Sequence, residues 1–302
     1  MFSSVDAIVE TLEQQHYVAD RELATVLYLS QRLEKPLFLE GEPGVGKTEL
    51  AVVLARAMDT RLIRLQCYEG LDASTAIYEW NYPRQILEIK LQEHCGDREK
   101  LSETIFREEF LIRRPLLEAI QHEGPRPAVL LIDELDRADE EFEAFLLELL
   151  ADHQITIPEL GTIRARHKPL VVLTSNRTRE VHDALKRRCL YHWIDYPEFD
   201  KEYAIVKARL PEAEDGLTAQ VCRFMERIRT MDFLKKPGIA ETLDWAAALL
   251  ALHQNALDAE LVEATLGCIF KNHQDMSLFQ NALWGDADKR QEVLRQIKEA
   301  AC

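Results

Sequence analysis

Five short β-rich apolar runs punctuate the chain: PLFLE (36–40), RLIRLQC (61–67), AVLLID (128–133), PLVVLTSN (169–176) and LYHWIDYP (190–197). Each reads as a buried strand. Between them the apolar positions change period. Leu50, Val53, Leu54 and Ala57 follow the first run, and Phe142, Phe145, Leu146 and Leu149 follow the third. Both sets fall at i, i+3, i+4 and i+7, one face of a helix. Strand alternating with helix predicts a parallel sheet with helices on both faces, from about Lys35 to Pro197. Beyond Pro197 the strand signals fade. KEYAIVKARL, AQVCRFMERIRTM, TLDWAAALLALH and AELVEATLGCIF predict a separate all-helical domain over 198–302.

Two stretches exceed what this alternation needs. Residues 72–124 separate the second and third strands by more than one crossover helix requires, with an insert expected at 72–110. ITIPELGTIRARHKP (155–169) predicts a hairpin, with Pro158 and Gly161 near its turn. The aromatics Tyr78, Trp80 and Tyr82 in the insert read equally as partner anchors or as core. Helices are expected over 1–34, ahead of the first strand.

Composition narrows the class. With 302 residues, 47% of them hydrophobic and 30% charged, and only 11 Gly and 11 Pro, the chain can bury a large core and is helix-rich. The formal net charge of −16 repels phosphate backbones and anionic lipid on average. Six scattered cysteines (Cys67, Cys95, Cys189, Cys222, Cys268, Cys302) form no CxxC pair, which points to reduced thiols. MFSSVDAIVE carries acids where a signal peptide needs bases, and no apolar run reaches the ~20 residues of a membrane span. A cytoplasmic protein is expected.

The candidate chemistry sits at strand ends. GEPGVGKT (41–48) fits G-x-x-x-x-G-K-[ST] between a strand and a helix, the context a phosphate-binding loop demands. Gly41, Glu42, Pro43, Gly44, Val45, Gly46, Lys47, Thr48 and Glu49 are therefore candidate nucleotide-binding residues. Glycines free the backbone N–H groups for phosphate, Lys47 reaches the β and γ phosphates, and Thr48 offers a hydroxyl to Mg²⁺. AVLLIDELDRAD delivers Asp133 to a strand's C-terminal end, where it can hold the magnesium shell, with Glu134 next along to polarise water. ATP and Mg²⁺ are the expected cofactors. Asn176, ending VVLTSN, reads either as a γ-phosphate or water ligand or as a strand-end cap. Arg187 and Arg188 in DALKRRCLYHW read either as helix-end cations or as an arginine finger supplied across an interface.

Loop, D-E box, Asn-ended fourth strand, following arginines and helical tail resemble, in this order, the AAA+ ATPases. DELDRADEEFEAFLLELLADHQITIPELGTI is similar to the MoxR group within them. LQCYEGLDASTAIYEWNYPRQIL, EEFLIRRPLLEAI and LTSNRTREVHDALKRRCLYHWIDYP resemble its CoxD-like subgroup, encoded beside carbon monoxide dehydrogenase. The resemblance implies a P-loop AAA+ core with a five-stranded parallel sheet over 1–197 and a helical lid domain over 198–302. It further implies a homo-oligomeric, hexameric remodelling ATPase that helps mature a metalloenzyme, beside a protein carrying a von Willebrand factor A domain. Glu134 is implied as catalytic base, Asn176 as first sensor, and Arg187 or Arg188 as finger in trans. Two departures stand out. The group commonly has Asn where Asp136 stands, and it carries a second-sensor arginine where this chain reads KKPGIAETLDW, leaving Lys235 or Lys236 as the nearest cation.

The competing reading is a nucleic-acid motor or loader, since RARHK (164–168) carries basic side chains on the expected hairpin; the acidic net charge disfavours it. A nucleotide switch without turnover lacks support, because no N-K-x-D guanine-reading motif is present.

Overall fold

The computed structural model describes residues 2–92 and 105–301. The five apolar runs form β1 (Leu37–Gly41), β2 (Leu62–Gln66), β5 (Val129–Asp133), β8 (Leu170–Ser175) and β9 (Leu190–Ile194), joined in one parallel sheet of order β2-β5-β8-β1-β9. In β1, β5 and β8 every residue is buried. That explains their near-continuous apolar sequence, since a parallel sheet is covered on both faces. On β2 the burial alternates instead: Ile63 and Leu65 are buried while Arg64 between them is exposed. The register aligns the C-terminal ends, with Gln66 opposite Asp133, Ile132 opposite Leu173, and Glu40 opposite Ser175.

The extra segments build two antiparallel pairs. β3 (Tyr78–Trp80) pairs with β4 (Leu111–Arg113), and β6 (Gln154–Ile157) pairs with β7 (Gly161–Arg164), the hairpin expected at 155–169. Residues 93–104 of the expected insert lie outside the described residues, as do Cys95 and Cys302. Trp80 is buried against Phe106 at 5.3 Å between ring centroids and belongs to the core, so of the three aromatics only Tyr82 is exposed. Ile155 and Ile157 seat the hairpin's first strand on the same core.

The chain divides into two compact units. One comprises Met1–Thr11, Asp20–Glu40 and Lys47–Trp193; the other comprises Leu12–Ala19, Gly41–Gly46 and Ile194–Cys302. The first is centred on the sheet. The second holds the helices after β9, whose core is aromatic: Phe224 lies 4.9 Å from Trp245 and Phe279 lies 5.3 Å from Trp284. No helix among the described residues is long and apolar enough to cross a membrane.

Inside the helical unit a buried ion pair fixes the chain before one helix. Arg229 donates to both carboxylate oxygens of Glu202 at 2.6 and 2.7 Å, to the Pro237 carbonyl at 2.7 Å and to Thr242 at 3.0 Å. Breaking such a pair strands a buried charge, whereas replacing both partners removes the demand. Glu202→Ala is expected to cost this unit about 3 to 5 kcal/mol. Glu202→Leu combined with Arg229→Met should recover most of that loss. Urea unfolding followed by Trp245 and Trp284 fluorescence measures both; equal losses in the two variants refute the ion-pair account.

Candidate functional site

β1 ends at Gly41, and the loop 42–46 leads into the helix Lys47–Ala57. Gly44 (φ +77°) and Gly46 (φ +96°) occupy the left-handed region, which a side chain would strain, so the loop's sharp course needs glycine at both. A helix's first turn directs its backbone N–H groups and partial positive charge out of its N-terminus, an end suited to an anion. Glu42, Pro43 and Gly44 are exposed, Val45 and Lys47 are buried, and Thr48 and Glu49 are half-buried on the first turn of that helix.

Within the helical unit this loop is fastened by backbone. Ala240 donates its N–H to the Gly44 carbonyl at 3.2 Å. The Glu241 carboxylate caps the N–H of Gly238 at 2.8 Å and lies 3.2 Å from where a Cβ on Gly44 would stand. Lys235 and Lys236, the cations nearest the expected second sensor, are exposed. Glu241 thus sets a carboxylate beside Gly44 within the helical unit.

Asp133 is 2% exposed at the end of β5 and is fully engaged. Its Oδ1 accepts from the Thr48 hydroxyl at 2.9 Å and the Thr174 hydroxyl at 2.6 Å, and its Oδ2 accepts from the Arg64 guanidinium at 2.5 Å. A hydroxyl and a carboxylate in contact are hard oxygen donors, the set that suits Mg²⁺. Glu134 follows with a left-handed backbone (φ +53°). Its N–H donates to the oxygen of Thr174 at 2.9 Å, so that hydroxyl holds both box residues. Non-glycine residues persist in this conformation only where their surroundings over-determine it.

The Glu134 carboxylate accepts from Gln66 Nε2 at 2.9 Å, from Arg137 at 3.4 Å and from Asn176 Nδ2 at 3.5 Å. The sequence-predicted residues Thr48, Asp133, Glu134 and Asn176 are therefore brought into one hydrogen-bonded group. Asp136 secures the far side. It accepts from the backbone N–H of Asn176 at 3.1 Å, the N–H of Thr178 at 2.8 Å and the Thr178 hydroxyl at 2.7 Å. These bonds bracket Arg177, another residue at positive φ (+59°). The Cys67 thiol is pushed up to about 12, first by burial and then by the charges of Asp133, Asp136 and Glu134, so it stays protonated beside them.

Arg187 and Arg188 lie outside that group. They close the one-turn helix Asp183–Lys186, both exposed, with Arg188 donating to the Ala184 carbonyl at 2.8 Å. The stretch that leads to them is anchored by Glu143, 2% exposed, which pairs with Arg179 and accepts from the His182 N–H at 2.7 Å.

Sequence reasoning missed Arg64, Gln66 and Thr174. The alternation in RLIRLQC was the available signal for the first two: Arg64 and Gln66 share one side of a strand whose other side is apolar.

Residues 36–189, just over half of the chain, match the family described as AAA domain (dynein-related subfamily). The chain belongs to this AAA family. ATP binding and ATPase chemistry are the general property of the AAA family, and its members commonly assemble into rings. Similar proteins include an uncharacterized protein of Staphylococcus haemolyticus, 29% identical over 226 residues that cover 73% of this chain and 77% of that one. An uncharacterized protein of Staphylococcus aureus matches with the same identity and coverage. Among solved structures, the RuvB Holliday junction branch migration motor of Thermotoga maritima is 17% identical with a TM-score of 0.46, over 87% of this chain and 71% of that one.

Proposed function

We propose that the chain is a Mg²⁺-dependent, ATP-hydrolysing remodelling ATPase of the MoxR type, CoxD-like subgroup. It works in the cytoplasm as a homo-oligomeric ring, a hexamer, on a protein client. A metalloenzyme in maturation, handled beside a von Willebrand factor A domain protein, is the client class that the sequence resemblance supports. The observation that carries the enzymatic part is the contact of Thr48 with Asp133 at 2.9 Å, with Glu134 adjacent and tied to Asn176.

In this reading residues 41–49 hold the triphosphate, with Lys47 opposite its negative charge. Thr48 and Asp133 hold Mg²⁺, which when bound neutralises charge on the phosphate oxygens. Glu134 accepts the proton of the attacking water, and its fixed left-handed backbone sets where the carboxylate points. Asn176 orients the same water or the γ-phosphate without adding charge. Arg187 or Arg188 serves a neighbouring subunit's site. The functional division falls at 197/198, between a nucleotide-binding domain and a helical lid domain.

Two observations favour a protein client over nucleic acid. The net charge is −16, and the hairpin's basic residues are partly committed: Arg164 donates to Gln154 at 3.2 Å and Lys168 pairs with Glu34. Membrane attachment forms no part of the reading. Pull-down from the source cell with a Glu134→Gln trap should recover a von Willebrand-type protein or its metalloenzyme client, and that partner should raise ATP turnover severalfold. Recovery of only nucleic acid or helicase components, with turnover stimulated by DNA instead, would replace this reading with the nucleic-acid motor.

A further inference from the structure

The Arg64 guanidinium stands where a metal-holding carboxylate would be expected to keep an oxygen available. It comes from β2, one strand over, and its Nη2 donates to Asp133 Oδ2 at 2.5 Å. The same nitrogen donates to Gln66 Oε1 at 2.6 Å. A guanidinium can only donate, so it must meet the amide oxygen, which turns the Gln66 NH₂ toward Glu134 at 2.9 Å. One cation thus joins the carboxylate proposed to hold Mg²⁺ to the one proposed as base.

We propose that Arg64 is a protein-borne counter-cation of Asp133 with which a divalent cation must compete, so that Arg64 sets the metal concentration the site requires. The proposal rests on the reading of Asp133 as a metal-holding residue. Two cations cannot share one carboxylate cheaply, because their mutual repulsion offsets what each gains. Arg64 has somewhere to go: its side chain is 51% exposed, while that of Asp133 is 3% exposed and fixed by two threonine hydroxyls. The mobile partner is therefore the arginine. When it leaves Asp133, the Gln66 amide loses the contact that orients it toward Glu134.

The test is Mn²⁺ binding to the full chain with the β,γ-imido analogue of ATP, followed by the electron paramagnetic resonance signal of free Mn²⁺. A hydrogen bond between charged groups, discounted for the exposed arginine, sets the scale. Arg64→Gln should tighten Mn²⁺ about three- to thirtyfold, and Arg64→Lys, which keeps the charge, should stay near the wild type. Asp133→Asn should weaken Mn²⁺ in every background. Unchanged or weaker Mn²⁺ binding in Arg64→Gln, or equal behaviour of the Gln and Lys variants, overturns the competition while leaving Asp133 as a metal residue. No loss in Asp133→Asn overturns the site reading and this inference together. A purely structural Arg64 would lower the melting temperature of Arg64→Gln and leave metal affinity in the folded fraction unmoved, which also refutes the proposal.

Discussion

Glu134→Gln is expected to bind ATP as tightly as the wild type and to lose about 10² to 10⁴ in turnover, the range that general-base catalysis contributes. The amide keeps the size and shape of the carboxylate, so the left-handed backbone at Glu134 and its N–H bond to Thr174 can persist. What is lost is the ability to take a proton from water. The Gln66 amide, which now donates to Glu134 at 2.9 Å, can meet the new side chain's carbonyl oxygen, and the new NH₂ is accommodated once the Asn176 amide, now donating at 3.5 Å, turns its oxygen toward it. Lys47→Ala should fail in the opposite way. It removes a cation from the phosphate-binding loop, and nucleotide affinity itself should collapse. Fluorescent-nucleotide titration and phosphate release, measured on both variants, separate the two outcomes. Wild-type turnover by Glu134→Gln would remove Glu134 from the role of base.

How much of this was legible in the sequence depended on whether the signal was local. The parallel sheet was legible because strands buried on both faces read as unbroken apolar runs, and VLLID and LVVLTS are buried throughout. The loop at 41–48 was legible because its glycines, lysine and threonine all fall within eight successive positions. Asp133 stood out as a carboxylate ending such a run. Arg64 and Gln66 did not stand out, because polar residues alternating along a strand ordinarily face water. Their position beside the box follows from the pairing of β2 with β5, which sets Gln66 opposite Asp133 across 67 positions of chain. Nothing local encodes that register. Thr174 was hidden for the same reason: its hydroxyl matters only because β8 lies next to β5. Trp80 shows the converse, an aromatic in an insertion that reads equally as partner anchor or as core until its burial against Phe106 is known. Glu241 was likewise hidden, since only the backbone contact of Ala240 with the Gly44 carbonyl brings it beside the loop.

An Arg187→Ala, Arg188→Ala double variant is expected to bind ATP normally and to lose about 10³ to 10⁵ in turnover, or about 4 to 7 kcal/mol of transition-state stabilisation. Both side chains are exposed and outside the hydrogen-bonded group around Asp133 and Glu134. Truncating them should therefore leave stability within about 0.5 kcal/mol of the wild type, as for surface positions generally. Their backbone is nonetheless well placed, because buried Glu143 holds the stretch that leads to them through Arg179 and the His182 N–H. Such an arrangement suits a group that acts on a neighbour: rigidly presented, yet solvent-facing in the single chain. If the finger acts in trans, specific activity should rise with protein concentration as subunits assemble. Mixing gives the sharper test, since the double variant keeps Glu134 and the Glu134→Gln variant keeps both arginines. Mixed rings contain interfaces that pair an intact base with an intact neighbouring finger, and hydrolysis should partly return there. No recovery despite co-assembly, confirmed by light scattering, would count against action in trans. Unchanged turnover in the double variant alone would remove the finger assignment altogether, and the exposed pair would then be no more than cations favoured at a helix end.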